Sequence, residues 1–188
     1  MSQESEKIRS FVAIELPRQV KDHLAGTGEA FSRVLRGAKW VRPEGMHLTL
    51  KFIGDVEPGR IPEIAAALET VAKKHNSFDA ETTQPGAFPS PEKARVLWVG
   101  LEDGGLCRAL AKDIDNALAS LGFERERKPF AAHLTLARLR EPAFVPAEIT
   151  GAQLETVPFN VSRFTLFRSR LMPSGAIYSP LEVFELAK

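Results

Sequence analysis

The tetrapeptide His-Leu-Thr-Leu occurs twice, at 47–50 and 133–136, and the 86-residue interval between the copies lays one half of the chain over the other. At that offset "LWVGLE" (97–102) falls on "FVAIEL" (11–16), so each half reads strand, helix, then a His-Leu-Thr-Leu strand. An element order repeated within one chain restricts its folds more than composition does. Two strand–helix–strand units with further strands predict an α+β protein. Its two pseudo-symmetric lobes would be antiparallel-rich sheets with helices packed outside and a cleft between them. The letters alone carry little, because some repeated tetrapeptide is about a one-in-five event in a chain this long. The weight comes from histidine, of which the chain has only four, and from both copies heading the same element.

The remaining pattern fills in this outline. Residues 10–17 read as a strand and 18–36 as a helix, with Gly26 and Gly28 against it. "WVRPEGM" reads as a loop, 47–54 as a strand and 61–75 as a helix with a clean apolar stripe. Residues 78–83 and 95–102 read as strands, separated by a Pro- and Gly-rich loop over 84–94. A helix over 106–121 is closed by Gly122, and further strands follow the second repeat. The whole of 1–188 is read as one two-lobed domain, with residues 1–9 as a flexible tail.

Strand alternation separates the repeat into two faces. His47 and Thr49 share one face while Leu48 and Leu50 share the other, and His133 and Thr135 stand likewise against Leu134 and Leu136. The leucines are expected to bury in their own lobes. Two opposed His-Thr faces would present two imidazoles and two hydroxyls to one small molecule. Histidine titrates near neutral pH, so one ring can hold a proton while the other takes one. Threonine hydroxyls donate hydrogen bonds to an oxyanion. That set suits acid–base chemistry on a phosphodiester without a metal or other cofactor. Lys51 is expected to share the His47 face.

Composition sets outer bounds. Twenty-five Lys and Arg against twenty-four Asp and Glu give a net charge of +1, so any site for a polyanion must be local. The single cysteine, Cys107, allows no internal disulfide and fits a reducing compartment. No secretory signal or spanning apolar run is read, so a cytoplasmic monomer away from membranes is expected. Four histidines and Cys107 offer no close pair for a zinc site, and no GxxxxGK[ST] or GxGxxG loop is present. His23 and His75 are expected on helix surfaces, and Trp40 as a hydrophobic plug.

The stretches "KWVRPEGMHLTLKFIG" and "KPFAAHLTLARL", with "FVAIELP" and "FTLFRSRL", resemble the two-histidine (HxTx) phosphoesterases. Within that superfamily the resemblance is to the bacterial and archaeal RNA 2′,3′-cyclic phosphodiesterases, the LigT-like or 2′-5′ RNA ligase proteins. Ala131 and Ala132 depart from the Pro or His that relatives often carry before the second motif histidine. The resemblance implies a bilobal fold and hydrolysis of RNA 2′,3′-cyclic phosphate ends to 2′-phosphomonoesters. It makes His47 the general acid and His133 the general base, with Thr49 and Thr135 on the phosphate oxygens. It also brings Phe52 toward the terminal base and Arg138 toward the phosphate. Strict alternation would turn both away, so each strand must twist, bulge or end there.

The implied partner is an RNA or oligonucleotide bearing a cyclic phosphate end, with nucleotides as further ligands. Alternatives are a reversible 2′-5′ RNA ligase acting on tRNA halves and a non-catalytic RNA- or nucleotide-binding module. Arg125, Arg127 and Lys128, and Arg163, Arg168 and Arg170, are left open between an RNA track and a solvated rim.

Overall fold

The computed structural model describes residues 6–173 and 175–188. The first strand, β1 (Ile8–Glu15), begins inside the segment expected as a tail, and its residues 10–14 are buried. Residues 1–5 of that segment lie outside the described residues. Helix α1 (Arg18–Ser32) buries Val20, Leu24, Thr27, Gly28 and Phe31, a stripe at three- and four-residue steps. Gly28 has a packing reason: the Trp40 ring lies against it, and a Cβ there would sit 3.4 Å from the ring edge. A three-residue strand, β2 (Ala38–Trp40), and a 3₁₀ turn at Pro43–Gly45 lead into β3 (His47–Val56).

Helix α2 (Ile61–Ala72) keeps its apolar stripe, and β4 (Phe78–Phe88) and β5 (Ala94–Glu102) follow. Helix α3 (Leu106–Ser120) ends as Gly122 foretold. Gly122 takes φ +87°. Its N–H reaches Ala119 at 2.9 Å and the Phe123 N–H reaches Leu118 at 3.1 Å, closing the last carbonyls. Strand β6 (His133–Ala143), a single-turn helix α4 (Ala147–Thr150), and strands β7 (Pro158–Val161), β8 (Arg163–Met172) and β9 (Gly175–Glu185) complete the chain.

The strands form two antiparallel sheets, ordered β3-β1-β8-β9 and β2-β6-β5-β4-β7. Each repeat contributes one adjacent pair, β1 with β3 and β5 with β6, as the matched halves require. The helices are exchanged. Helix α1 follows a strand of the first sheet but packs on β6 and β2 of the second. Helix α3 follows β5 of the second sheet and packs on β3 of the first and on α2. Leu48, Leu50, Leu134 and Leu136 are therefore buried in one continuous core that spans both sheets, rather than in separate lobes. A second, smaller cluster of Phe11, Ala13 and Phe167, with Tyr178 packed on it, lies on the other face of the first sheet.

The stretch expected as a loop over 84–94 is largely strand, because β4 runs on to Phe88. A register shift between Thr82 and Pro85 absorbs the proline, and β4 pairs with β7 only over 78–81, so no ladder needs an N–H from Pro85. Gly86 is required by contact: a Cβ there would lie 2.3 Å from the Trp98 ring.

Candidate active site

His47 opens β3 opposite Glu15, and Thr49 lies opposite Ala13. The next partners are Lys51 and Val12, which leaves Leu50 unopposed. This bulge resets the alternation. Leu50 and Lys51 both bury on the helix side, and Phe52 emerges 59% exposed on the His47 face. The Phe11 ring joins them, 5.0 Å from His47 and 6.1 Å from Phe52.

Strand β6 repeats the device at the same place. Thr135 lies opposite Trp98 and Ala137 opposite Leu97, leaving Leu136 unopposed. Leu136 and Ala137 are buried, and Arg138 is turned out on the side of His133 and Thr135. The bulge each strand needed thus falls on the third residue after each histidine. Phe52 and Arg138 gain their places from it.

Lys51 loses its expected place by the same bulge. Its side chain is 2% exposed and points to α3, donating to Asp115 Oδ1 at 2.6 Å and to the Glu124 carbonyl at 2.8 Å. Burial raises the Asp115 carboxyl, but hydrogen bonds from Lys51 and the Glu126 N–H outweigh that and hold it below its ordinary value.

The two imidazoles are anchored alike, each to the backbone two residues before it. The His133 Nδ1–H donates to the Ala131 carbonyl at 2.8 Å, and Nε2 takes no part in that bond. The Phe88 ring stands edge-on to His133 at 5.1 Å and packs on Trp98 at 5.0 Å. His47 hydrogen-bonds the Gly45 backbone and meets the edge of Tyr178 at 5.1 Å. Burial pulls the His47 pKa down to about 4, and the charges of Arg138 and Lys21 push the same way against the Gly45 bond. His47 is therefore neutral at pH 7 in this setting. That Arg138 of β6 acts on His47 of β3 shows that the two motif strands serve one region. Arg138, Gly45 and Tyr178 also line a cavity of about 580 Å³, which His47 borders through its contacts with Gly45 and Tyr178.

The other singled-out residues are placed plainly. Arg125 donates to Asn116 at 2.6 Å, Arg127 pairs with Glu124 at 2.6 Å, and Arg163 and Arg168 lie near Glu185 and Glu6 at 3.9 and 4.0 Å. His75 is half-buried and bonded to Asp113 at 2.9 Å, and His23 has a buried ring nitrogen, so neither is the surface residue expected. Helical faces read from one helix do not show what packs on them. Cys107 is buried, and burial raises its thiol pKa far above the ordinary value. Among the described residues no three His, Cys, Asp or Glu side chains group as metal ligands, and no helix is long and apolar enough to cross a membrane. The aromatic surroundings of the histidines were not anticipated. Tyr178 had one signal, as the sole tyrosine of the chain.

Comparison with known proteins gives a consistent set of relatives. The family described as LigT like Phosphoesterase matches residues 14–98 and 101–178. The RNA 2′,3′-cyclic phosphodiesterase of Methanothermobacter thermautotrophicus is 33% identical over 184 residues, covering 96% of this chain and 100% of its own. Among solved structures, the protein TT0787 of Thermus thermophilus superposes with a TM-score of 0.80 at 31% identity, covering 95% of this chain and 98% of that one. E. coli LigT complexed with 3′-AMP shares the fold, with a TM-score of 0.80 at 21% identity over 97% of this chain and 100% of that one.

Proposed function

Because the chain belongs to the LigT-like phosphoesterase family, we propose that it hydrolyses 2′,3′-cyclic phosphate at RNA ends to a 2′-phosphomonoester, with His133 as base and His47 as acid. The observation that carries this reading is the repeated bulge. It aligns His47, Thr49 and Phe52 on one strand and His133, Thr135 and Arg138 on the other. The names of the relatives, and a nucleotide seen in a protein of the same fold, support it.

His133 Nε2 takes a proton from water, and the water oxygen forms a bond to phosphorus. The bond from phosphorus to O3′ breaks, and His47 gives its N–H proton to O3′. The product carries a 2′-phosphate, and the two protons re-equilibrate through solvent. Thr49 and Thr135 donate to the non-bridging oxygens, while Arg138 offsets their charge. Phe52 offers a face to the terminal base.

An acid must start protonated, and His47 alone is neutral at pH 7. The phosphodiester anion pushes the other way, because an opposite charge within about 4–6 Å favours the charged imidazole and raises its share. Substrate binding thus loads the acid. Proton transfer in this scheme involves the two imidazoles and needs no metal. The reading includes a cytoplasmic monomer with Cys107 as a buried thiol.

An oligonucleotide ending in a 2′,3′-cyclic phosphate, assayed in EDTA, tests the proposal. A 2′-phosphate product is expected, with a loss of about 10²–10⁴ in rate for His47→Ala or His133→Ala. A 3′-phosphate product, dependence on metal, or a wild-type rate in either variant overturns it.

A further inference from the structure

The cavity bordered by Gly45 and Tyr178, the neighbours of His47, has a chemistry of its own. It lies between β2 with the segment after it and the start of β9, and its volume of about 580 Å³ is that of a small-ligand site. Its lining carries Lys39, Arg42 and Arg138 against one carboxylate, Glu44. Of the other basic clusters, Lys128 and Arg170 also enter no ion pair among the described residues, but neither lines this hollow. Arg125, Arg127, Arg163 and Arg168 are each committed to a nearby carboxylate. Lys39, Arg42 and Arg138 enter no ion pair and no side-chain hydrogen bond among the described residues. On a chain with a net charge of +1, three unpaired cations around one hollow form a local anion site.

Aromatic surface accompanies the charge. Trp40 contributes to the wall of the hollow, but its ring packs on Gly28 of α1, on the side of Ala137 and away from Arg138. Tyr178 lines it as well, and the same ring meets the edge of His47, so hollow and catalytic face are continuous. Phe52 stands farther along β3, five residues past His47, whereas the hollow begins at Gly45, two residues before it. One terminal nucleotide with its base on Phe52 therefore leaves the hollow free for the chain that continues from it. Cations that track a backbone, together with aromatic faces on which bases stack, are how single strands are held without regard to sequence.

We propose that this hollow is a subsite for the nucleotide upstream of the cyclic phosphate end, with Lys39 and Arg42 on its phosphate, so that the substrate is a single-stranded oligonucleotide rather than a lone cyclic nucleotide. The inference rests on the phosphodiesterase reading and extends it to substrate length.

Two arms separate the failure of one from that of the other. The first compares hydrolysis of a trinucleotide 2′,3′-cyclic phosphate with that of a 2′,3′-cyclic mononucleotide, in wild type and in Lys39→Ala/Arg42→Ala. Both residues are exposed, so the variant keeps the fold. The trinucleotide is the better substrate for wild type, and the variant raises its KM about tenfold while the mononucleotide rate stays unchanged. The second arm measures binding of a fluorescent trinucleotide 2′-phosphate against salt. The double variant lowers the slope of log K on log salt by about 1.4, two contacts at about 0.7 each for a single strand. Equal preference for the two substrates, an equal loss on both, or an unchanged slope overturns the subsite. Hydrolysis of neither substrate by wild type overturns the phosphodiesterase reading alone, and the binding arm then decides the subsite.

Discussion

The two motif strands share a bulge and an anchored imidazole, yet they differ in what the bulge buries and what it exposes. In β3 it buries Lys51 and exposes Phe52; in β6 it buries Ala137 and exposes Arg138. The first half-site offers an apolar ring, and its histidine sits deep between Phe11 and Tyr178 with its pKa driven down to about 4. The second offers a cation, and its histidine meets one ring edge-on with Nδ1 tied to Ala131. A shared backbone device thus supports unlike chemistry. The repeated geometry aims both imidazoles, and the residues that differ give the two rings unlike surroundings.

The largest expected effect breaks the symmetry at the histidines. His133→Ala removes the base, so the residual rate loses the acidic limb of its pH profile. His47→Ala removes the acid and so loses the alkaline limb. The double variant costs little more than either single one, because the pair acts as a unit. Profiles that lose the same limb in both variants contradict the division of roles.

Next comes the strut that only the first half possesses. Asp115→Ala leaves the Lys51 ammonium 2% exposed without its carboxylate, a loss of about 3–5 kcal/mol in denaturant unfolding. Replacing both residues by Met and Leu restores most of it. No such cost is expected from the second half, where Ala137 occupies the matching position. Gly86→Ala tests the support of the other histidine. Its Cβ would meet the Trp98 ring at 2.3 Å, so Trp98 and the Phe88 ring packed on it must move. A loss of about 1–3 kcal/mol is expected, with kcat falling more than KM rises.

Smaller effects follow at the first half-site. Phe52→Ala leaves stability unchanged, since the ring is 59% exposed, and weakens oligonucleotide binding by about 1–3 kcal/mol. The pH dependence of stability has a definite sign. His47 has a folded pKa of about 4, below its ordinary value of 6.5, so the unfolded chain binds a proton first as pH falls. The contribution of the neutral ring is present above pH 6.5 and is lost as pH falls toward 4. His47→Gln therefore flattens the fall in melting temperature over that window, as a thermal series in several buffers reads directly.

Element order was legible because the 86-residue offset aligned strand, helix and motif in both halves, and His47, Thr49, His133 and Thr135 emerge together on that basis. What alternation could not supply was its own interruption. A period of two puts Lys51 with His47, and only the pairing of Lys51 with Val12 shows that Leu50 takes an extra place. The exchange of α1 and α3 was invisible for a similar reason. A stripe such as Leu110, Ile114 and Leu118 records that one helix face is buried, not which sheet buries it. Residues 84–94 read as a loop because Pro85 and Gly86 discourage strands. Their tolerance depends on a free sheet edge and on the Trp98 ring, both of which are tertiary.

Both imidazoles are proposed to serve one phosphate, with the anion loading His47. Nitrogen-15 NMR of the imidazoles during titration with a nucleoside 2′-phosphate at pH 6 measures this most directly. Both His47 and His133 signals are expected to move with one dissociation constant, and His47 to change from neutral to protonated on binding. Movement of one histidine alone, or a His47 ring that stays neutral at saturation, would contradict it.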